Sequence, residues 1–380
     1  MVKAEIYYSL LDHNMYVSLL ALLIISAFEI ASGGWFNLRL PFFSKGREER
    51  MKKTKNSAYD AVGLWNLGNT CYANAVIQAL YHCSSFRKQV FTENFVQNSI
   101  GESVQSLFQN MQSKESNIVD TTDLLQKLQV NVNIQEDAQE FLLKLVNNIE
   151  ESIESSGRNK ELLPITTSSV MVGEIEYIYD CVEVNFTKAR KQRFLTLSLD
   201  MYNFTNIDDS LAKFFGSEFL VGDNKYNTKS HGLQDTEKSC RISRFPDVLC
   251  IHLKRFSYDF AMGKLRKVGK YFEFPFDLNM NHSNSKNTSN VHLGRNYTLK
   301  SIVIHDGEAN SGHYTCIVNA PDEKSMKKTK NEMNGSRWLN LNDHDISFIS
   351  DDDVRRIAFG DPGSTSYKSK NAYLLLYSAM

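Results

Sequence analysis

The stretch GLWNLGNTCYANAVIQAL, residues 63–80, decides the fold because its character changes abruptly at Cys71. A Gly-Asn-Thr turn precedes the cysteine, and Asn69 and Thr70 are residue types that favour helix N-caps. Beyond the cysteine, apolar side chains recur at helical spacing, at Tyr72, Val76, Ala79, Leu80 and Cys83. This pattern predicts an amphipathic helix with Cys71 at its N-terminus.

Cys71 has two interpretations. At a helix N-terminus, unpaired backbone N–H groups and the helix dipole favour the thiolate, which is the reactive form of cysteine. Asn66, five residues upstream, offers an amide donor to a developing oxyanion. The alternative is a buried core cysteine, the common fate of a free thiol and our interpretation of Cys83. The residue alone leaves these two alternatives evenly weighted.

His313, in the stretch SGHYTCIV, is the best candidate for a base among the nine histidines. It follows a small, flexible Ser-Gly pair and opens an alternating β-rich run, which predicts an imidazole at the start of a strand. Downstream, Asn342 and Asp343 follow an apolar stretch, and either could orient the imidazole through Nδ1. A nucleophile, a base and an orienting group form a generalised catalytic triad.

Residues 135–149 predict another amphipathic helix, because their apolar positions form one stripe. Asp137 and Glu140 lie beside that stripe near the helix start. Acidic residues there interact favourably with the helix dipole, so helix stabilisation explains both without a further role. A substrate-binding role is the alternative of equal weight.

Five motifs occur in the order found in ubiquitin-specific proteases: GLWNLGNTCYANAVIQALYHCSSFR, QEDAQEFL, LCIHLKRFSYD, SGHYTCIV and WLNLND. The chain resembles this family from about Gly63 to its C-terminus. The stretches GDNKYNTKSHGLQDTEKS and YFEFPFDL are most similar to the branch that contains the herpesvirus-associated ubiquitin-specific protease. Between them, the motifs contain all the candidate catalytic residues.

The resemblance implies an α+β, papain-like cysteine peptidase with thumb, palm and fingers subdomains. Such an enzyme hydrolyses the isopeptide or peptide bond after the C-terminal glycine of ubiquitin. The matched positions make Cys71 the nucleophile, His313 the general base and Asn342 the third triad member. Asn66 becomes the oxyanion donor, and Asp343 matches a position that sometimes shares the third role.

The resemblance also implies a substrate-binding set. Family members use acids at the positions of Asp137 and Glu140 to hold the Arg-rich ubiquitin tail, through charge-assisted carboxylate–guanidinium bonds. Gln139 lies between them in sequence. His305 is expected in a loop over the cleft. The expected partners are therefore ubiquitin and ubiquitinated proteins.

The chain departs from the commonest family pattern in two ways. Many relatives carry two CxxC pairs that bind zinc in the fingers, whereas this sequence has no CxxC, so we expect no metal and no cofactor. Asn342 occupies a position where the most similar branch usually has Asp. Because an amide stabilises an imidazolium less than a carboxylate does, we expect a modest catalytic rate.

The composition, with 43 basic and 44 acidic residues, gives no sign of nucleic-acid binding. Six cysteines without a regular framework indicate free thiols in a reducing compartment. We therefore expect a cytoplasmic, monomeric enzyme with two regions. Residues 1–58 form an N-terminal segment with an apolar run and a basic linker, and residues 59–380 form the catalytic domain.

The apolar run of residues 15–28 has three interpretations. It is short for a membrane span, which needs about 20 residues, and extending it to residue 36 places Glu29 inside the bilayer. If it does span, the basic residues that follow predict a cytosolic catalytic domain. A cleaved secretory signal is less attractive, because it would separate the enzyme from ubiquitin. Translation from Met51 is as well supported as an anchor, and would allow a nuclear location.

Two rival functions belong to other classes: a catalytically weak ubiquitin-binding scaffold, and a protease for another ubiquitin-like modifier. The presence of Cys71, His313 and Asn66 argues against the scaffold. The sequence does not choose between modifiers.

Overall fold

The computed structural model describes residues 61–153, 168–260, 262–280, 294–309, 311–319, 338–363 and 369–380. Its first part is helical, with two short parallel strands. The elements are β1 (Gly63–Leu64), α1 (Cys71–His82), α2 (Ser84–Thr92), α3 (Ile100–Ser113), β2 (Ile118–Val119), α4 (Thr122–Lys127), α5 (Ala138–Glu151) and α6 (Ser168–Met171).

The second part is mainly strands. In chain order they are β3 (Gly173–Cys181), β4 (Thr187–Phe194), β5 (Thr196–Leu199), β6 (Glu218–Leu220), β7 (Tyr226–Thr228), β8 (Gly232–Gln234), β9 (Thr236–Arg244), β10 (Val248–Leu253), β11 (Phe256–Asp259), β12 (Lys264–Lys267), β13 (Asp277–Asn279), β14 (Asn296–Glu308), β15 (Ser311–Asn319), β16 (Trp338–Asn342), β17 (Asp345–Ile349) and β18 (Ser369–Ala379). Two further helices are α7 (Ile207–Phe215) and α8 (Asp351–Phe359).

The largest sheet has the strand order β17-β16-β15-β14-β18-β10-β5, with β13 also paired to β14. All its pairs are antiparallel except β10 with β5, which is parallel. β18 therefore lies between β10 and β14. The strands β10 and β18 are almost entirely buried, as expected for strands covered on both faces.

Helix α1 lies against one face of this sheet. All of its residues are buried, and it shares one hydrophobic core with α5 and with the inward side chains of β15 and β18. Several of its buried polar side chains are hydrogen-bonded to the protein, as buried polar groups generally are. Gln78, for example, donates to the Val62 carbonyl at 2.7 Å. The helix that begins with Cys71 is thereby fixed to the sheet that carries His313.

A second, four-stranded sheet has the order β4-β3-β9-β6. Its base packs on α7 in a separate core that includes Ile175, Ile242, Leu211 and Phe215. Smaller two-stranded hairpins join β7 with β8 and β11 with β12. The described fold is therefore mixed α and β, with the helices preceding most of the strands, as the sequence predicted.

The N-terminal segment, residues 1–58, precedes the first described residue. Within the described residues, no helix is both long and apolar enough to span a membrane. The apolar run of residues 15–28 and the basic linker lie outside the described part of the chain. The polar stretch of residues 322–336 does as well, and it connects the antiparallel neighbours β15 and β16.

Candidate active site

Cys71 begins α1, as predicted, and its side chain is 4% exposed. Thr70 is the N-cap residue, but its side chain does not cap the helix. Its hydroxyl instead donates to Asn66 Oδ1 at 3.2 Å and accepts from the Leu67 N–H at 3.0 Å. The turn before the nucleophile is thus held by its own side chains, and the first backbone N–H groups of α1 are left for another acceptor.

His313 lies near the start of β15 and reaches both other members of the predicted triad. Its Nε2 donates to Asn342 Oδ1 at 2.6 Å, and its side chain also forms a hydrogen bond with Cys71. Nε2 is already bonded to Asn342, so Nδ1 is the nitrogen that faces the nucleophile. Our prediction that Asn342 orients the ring through Nδ1 was wrong, because the direction of the ring depends on the paths of β15 and β16 and cannot be read from sequence.

The surroundings of His313 favour its charged form. The hydrogen bond with Cys71 is the largest effect that raises the pKa of this imidazole, and burial opposes it. The bond to Asn342 and the negative charges at Cys71 and Asp343 also raise it, and the resulting pKa is about 9. An imidazolium beside a thiolate is the ion pair from which a cysteine peptidase reacts.

Asp343 does not form a hydrogen bond with the imidazole; it binds two side-chain amides from the helical part instead. Its Oδ2 accepts from Asn66 Nδ2 at 2.9 Å, and its Oδ1 accepts from Asn74 Nδ2 at 2.8 Å. Asp343 has a φ of +51° in the tight turn between β16 and β17, a conformation that Asp tolerates better than most residues. Its backbone carbonyl accepts from Leu64 N–H at 2.8 Å.

Asn66 is placed beside Cys71 by these contacts. Its Oδ1 accepts hydrogen bonds from Gly68 N–H at 3.0 Å and Thr70 N–H at 3.3 Å, which fixes the orientation of the amide. A side-chain amide nitrogen carries two protons, and the bond to Asp343 uses one. Donation of the other to an oxyanion stays a prediction.

The two acids at the start of α5 differ in their surroundings. Asp137 is the N-cap residue, and its Oδ1 accepts from the backbone N–H groups of Gln139 at 2.7 Å and Glu140 at 3.1 Å. Its Oδ2 accepts from the Tyr373 hydroxyl. Glu140 has an exposed side chain, and Gln139 donates weakly to Thr196 Oγ1 at 3.4 Å. Asp137 therefore has a structural role, while the Glu140 carboxylate faces solvent.

His305 is not in a loop. It lies within β14, is 1% exposed, and has its ring against Phe256 and Tyr314. Burial lowers the pKa of this imidazole to about 3, with the neighbouring cations acting in the same direction. The predicted loop was wrong because β14 and β15 continue their pairing up to Glu308. In this buried position, His305 supports the strand that precedes His313.

Close packing between β14 and β15 leaves no room for a side chain at Gly312. A Cβ there would lie 2.6 Å from the Asp306 carbonyl oxygen, and would also meet the His305 ring. The glycine before His313 therefore allows β14 to approach β15, a different reason from the flexibility that we inferred from sequence.

Sequence reasoning missed Asn74 and Tyr373. Asn74 is 2% exposed and also donates to the Trp65 carbonyl at 3.1 Å. The sign was present, because an amide lies three residues after the nucleophile in a largely apolar helix. Tyr373 gave no such sign, since a tyrosine in the apolar strand β18 resembles any core residue.

The six cysteines are free thiols in the structure. In the described ranges, no group of three or more His, Cys, Asp or Glu side chains is arranged to hold a metal ion. The absence of zinc stays an expectation from the missing CxxC pairs.

The sequence matches the family described as ubiquitin carboxyl-terminal hydrolase over residues 62–377. The chain belongs to this family. Its members are cysteine-type deubiquitinating enzymes, so the family resemblance inferred from the motifs is confirmed.

Similar curated proteins include ubiquitin C-terminal hydrolase 12 of Arabidopsis thaliana, at 33% identity over 68% of this chain and 24% of the relative. Ubiquitin carboxyl-terminal hydrolase 15 of Schizosaccharomyces pombe is 28% identical over 83% of this chain and 28% of the relative. The chain thus spans about a quarter of these proteins. It covers 93% of ubiquitin carboxyl-terminal hydrolase 4 of Arabidopsis thaliana, at 27% identity over 84% of this chain.

Proposed function

We propose that the chain is a thiol-dependent deubiquitinase that hydrolyses the bond after the C-terminal glycine of ubiquitin. The observation that carries this proposal is the hydrogen bonding of His313 to both Cys71 and Asn342. Family membership indicates the substrate class. The charged imidazole indicates a group that can donate and accept the protons of the reaction.

In the first half of the reaction, the Cys71 thiolate attacks the carbonyl carbon of the ubiquitin glycine. The negative charge that develops on the carbonyl oxygen is stabilised by the Asn66 amide and by backbone N–H at the start of α1. His313 then gives its proton to the leaving amine of the substrate lysine. The products of this half are the free amine and a thioester between ubiquitin and Cys71.

In the second half, neutral His313 takes a proton from a water molecule as the water attacks the thioester carbon. The tetrahedral intermediate collapses, the C–S bond breaks, and ubiquitin leaves with a free carboxylate. Asn342 holds the ring in one orientation through both halves, which is the part an orienting group plays in such a triad.

A ubiquitin probe with a C-terminal electrophile tests this proposal on the full chain. We expect one covalent adduct by mass spectrometry, absent in Cys71→Ser and strongly slowed in His313→Ala. Cys181→Ser is the matched control, since this thiol is partly exposed and lies in β3; it should label like the wild type.

The same experiment separates the rival functions. Ubiquitin binding without an adduct would favour the scaffold. Failure to bind or react with ubiquitin, together with labelling by the matching probe of another modifier, would favour a different ubiquitin-like substrate.

Finer assignments are also part of the proposal. We assign the helical part to a thumb, the large sheet to a palm and the four-stranded sheet to fingers.

The stretches GDNKYNTKSHGLQDTEKS and YFEFPFDL support placement of the chain in the herpesvirus-associated branch. A 29% identical Drosophila melanogaster relative is named ubiquitin carboxyl-terminal hydrolase 7. We also propose that the enzyme is monomeric and works in the cytoplasm, a reducing compartment in which free thiols persist.

A further inference from the structure

Strand β4 is unusually basic and unusually exposed. Its sequence, TKARKQRF, has four cations and no acid, and every residue from Thr187 to Arg193 is exposed. In the part of the chain that the structure describes, β4 pairs with β3 alone and forms one end of its sheet. The outer edge of β4 therefore presents backbone N–H and C=O groups that a further strand could pair with.

The two faces of β4 differ in how their charge is balanced. Side chains alternate between faces along a strand, so Lys191 and Arg193 lie on one face. Lys191 Nζ is 3.1 Å from Glu174, and Arg193 is 4.0 Å from Glu150 on α5. The cations on this face thus already have acidic partners within the protein.

Lys188 and Arg190 lie on the opposite face, and neither has an ion-pair partner among the described residues. Their cross-strand neighbours on β3 are Tyr179 and Tyr177. Tyr179 stacks on Tyr226 with ring centroids 4.8 Å apart. The uncompensated positive charge is therefore set beside partly exposed aromatic rings, which combine an apolar body with a polar tip.

We propose that the outer edge of β4 binds an acidic peptide in extended conformation, which joins the sheet as an added strand. Main-chain hydrogen bonds would hold the peptide, and alternate acidic side chains would lie opposite Lys188 and Arg190. Charge also decides against a second copy of β4 as the occupant, because like charges directly opposite one another destabilise a strand pair. This surface lies on a different sheet from the one that carries His313 and Asn342.

The first test uses a fluorescein-labelled octapeptide of alternating threonine and glutamate, titrated with the full chain and followed by anisotropy. We expect Lys188→Glu/Arg190→Glu to weaken binding about tenfold, because two attractive cross-strand pairs become repulsive. The control, Lys88→Glu/Lys114→Glu, makes the same charge change on α2 and after α3 and should bind like the wild type. All three proteins keep residues 1–60, so the basic linker cannot cause the difference.

The second test asks whether the peptide backbone takes part. In a strand, alternate N–H groups point to the same side, so N-methylation of the threonines blocks one edge and N-methylation of the glutamates blocks the other. We expect one of these peptides to lose binding and the other to retain it. Equal affinity of both peptides would overturn strand addition.

Two further results would overturn the proposal: a Lys188→Glu/Arg190→Glu variant that binds the peptide like the wild type, or a single-stranded DNA oligomer that binds β4 in preference to the peptide. Cleavage of a ubiquitin–fluorophore substrate by the same variant should stay unchanged, which shows that the fold is intact and keeps this proposal separate from the catalytic one.

Discussion

Asn74 Nδ2 donates to Asp343 Oδ1 at 2.8 Å and joins the nucleophile's helix to the turn that follows the third triad residue. The same carboxylate accepts from Asn66 at 2.9 Å. Asn74 lies one helical turn after Cys71 and is buried. The proposed oxyanion donor is therefore positioned by a chain of two hydrogen bonds that starts on the helix of the nucleophile.

Asn74→Ala should lower kcat for a ubiquitin–fluorophore substrate about tenfold and leave KM nearly unchanged. Loss of a complete oxyanion donor costs about 10²–10³ in kcat, and here the donor is displaced but still present. Asn148→Ala, which removes an amide bonded to the Lys144 carbonyl on α5, is the control. The double variant Asn66→Ala/Asn74→Ala tests the coupling. If the losses in kcat of the two single variants added up in free energy, the residues would act independently and the positioning role would be wrong.

Asn342→Asp should raise kcat several-fold. Aspartate places a full negative charge next to the imidazole, and a nearby opposite charge favours the charged form, so it should stabilise the imidazolium of His313 better than asparagine does. Steady-state kinetics with the same substrate measure the change. The control is Asn340→Asp, two residues earlier on β16, which adds the same charge away from the imidazole. An unchanged kcat in Asn342→Asp would count against the explanation.

His313 should stay protonated well above the usual imidazole range. Its pKa of about 9 depends first on the hydrogen bond with Cys71. An NMR titration of the imidazole nitrogens should therefore give a midpoint near 9 in the wild type and one shifted toward the ordinary value of 6.5 in Cys71→Ala. Equal midpoints in the two proteins would show that the thiolate is not the cause.

The same pKa shift predicts the direction of a stability change. Because the folded-state pKa lies above the ordinary value, the proton on His313 stabilises the fold fully below about pH 6.5, and this contribution is lost as the pH rises toward 9. Urea unfolding at several pH values should show the difference between wild type and Cys71→Ala shrinking across that window.

Glu140→Gln should raise KM for ubiquitin substrates without changing the melting temperature, because this carboxylate is exposed. Asp137→Ala should destabilise the protein by about 1 kcal/mol or more, since it removes an N-cap and the acceptor for Tyr373. Steady-state kinetics and thermal unfolding of both variants test whether Glu140 binds substrate while Asp137 stabilises the fold. Glu151→Gln, at the far end of α5, controls for loss of a surface charge.

The sequence was sufficient to place Cys71 at a helix start and His313 on a strand, because both predictions rest on local pattern. It was insufficient wherever a contact joins distant parts of the chain. Asn74 and Asp343 are 269 residues apart, and the choice of Nε2 for Asn342 depends on how β15 and β16 are paired. The His305 prediction failed for a local reason, since it rested on the family resemblance, while β14 and β15 stay paired up to Glu308 and Ser311.

Strand β18 is the last of the described strands in sequence, yet it occupies the middle of the large sheet between β10 and β14. During synthesis on the ribosome, β14 and β15 emerge without the neighbour that holds them to β10. Cys71 is translated long before that neighbour and its helix can form early, but the histidine that activates it is fixed in place only when residues 369–379 arrive. We therefore expect nascent chains to carry an unactivated thiol, with proteolytic activity appearing only after residues 369–379 have been translated.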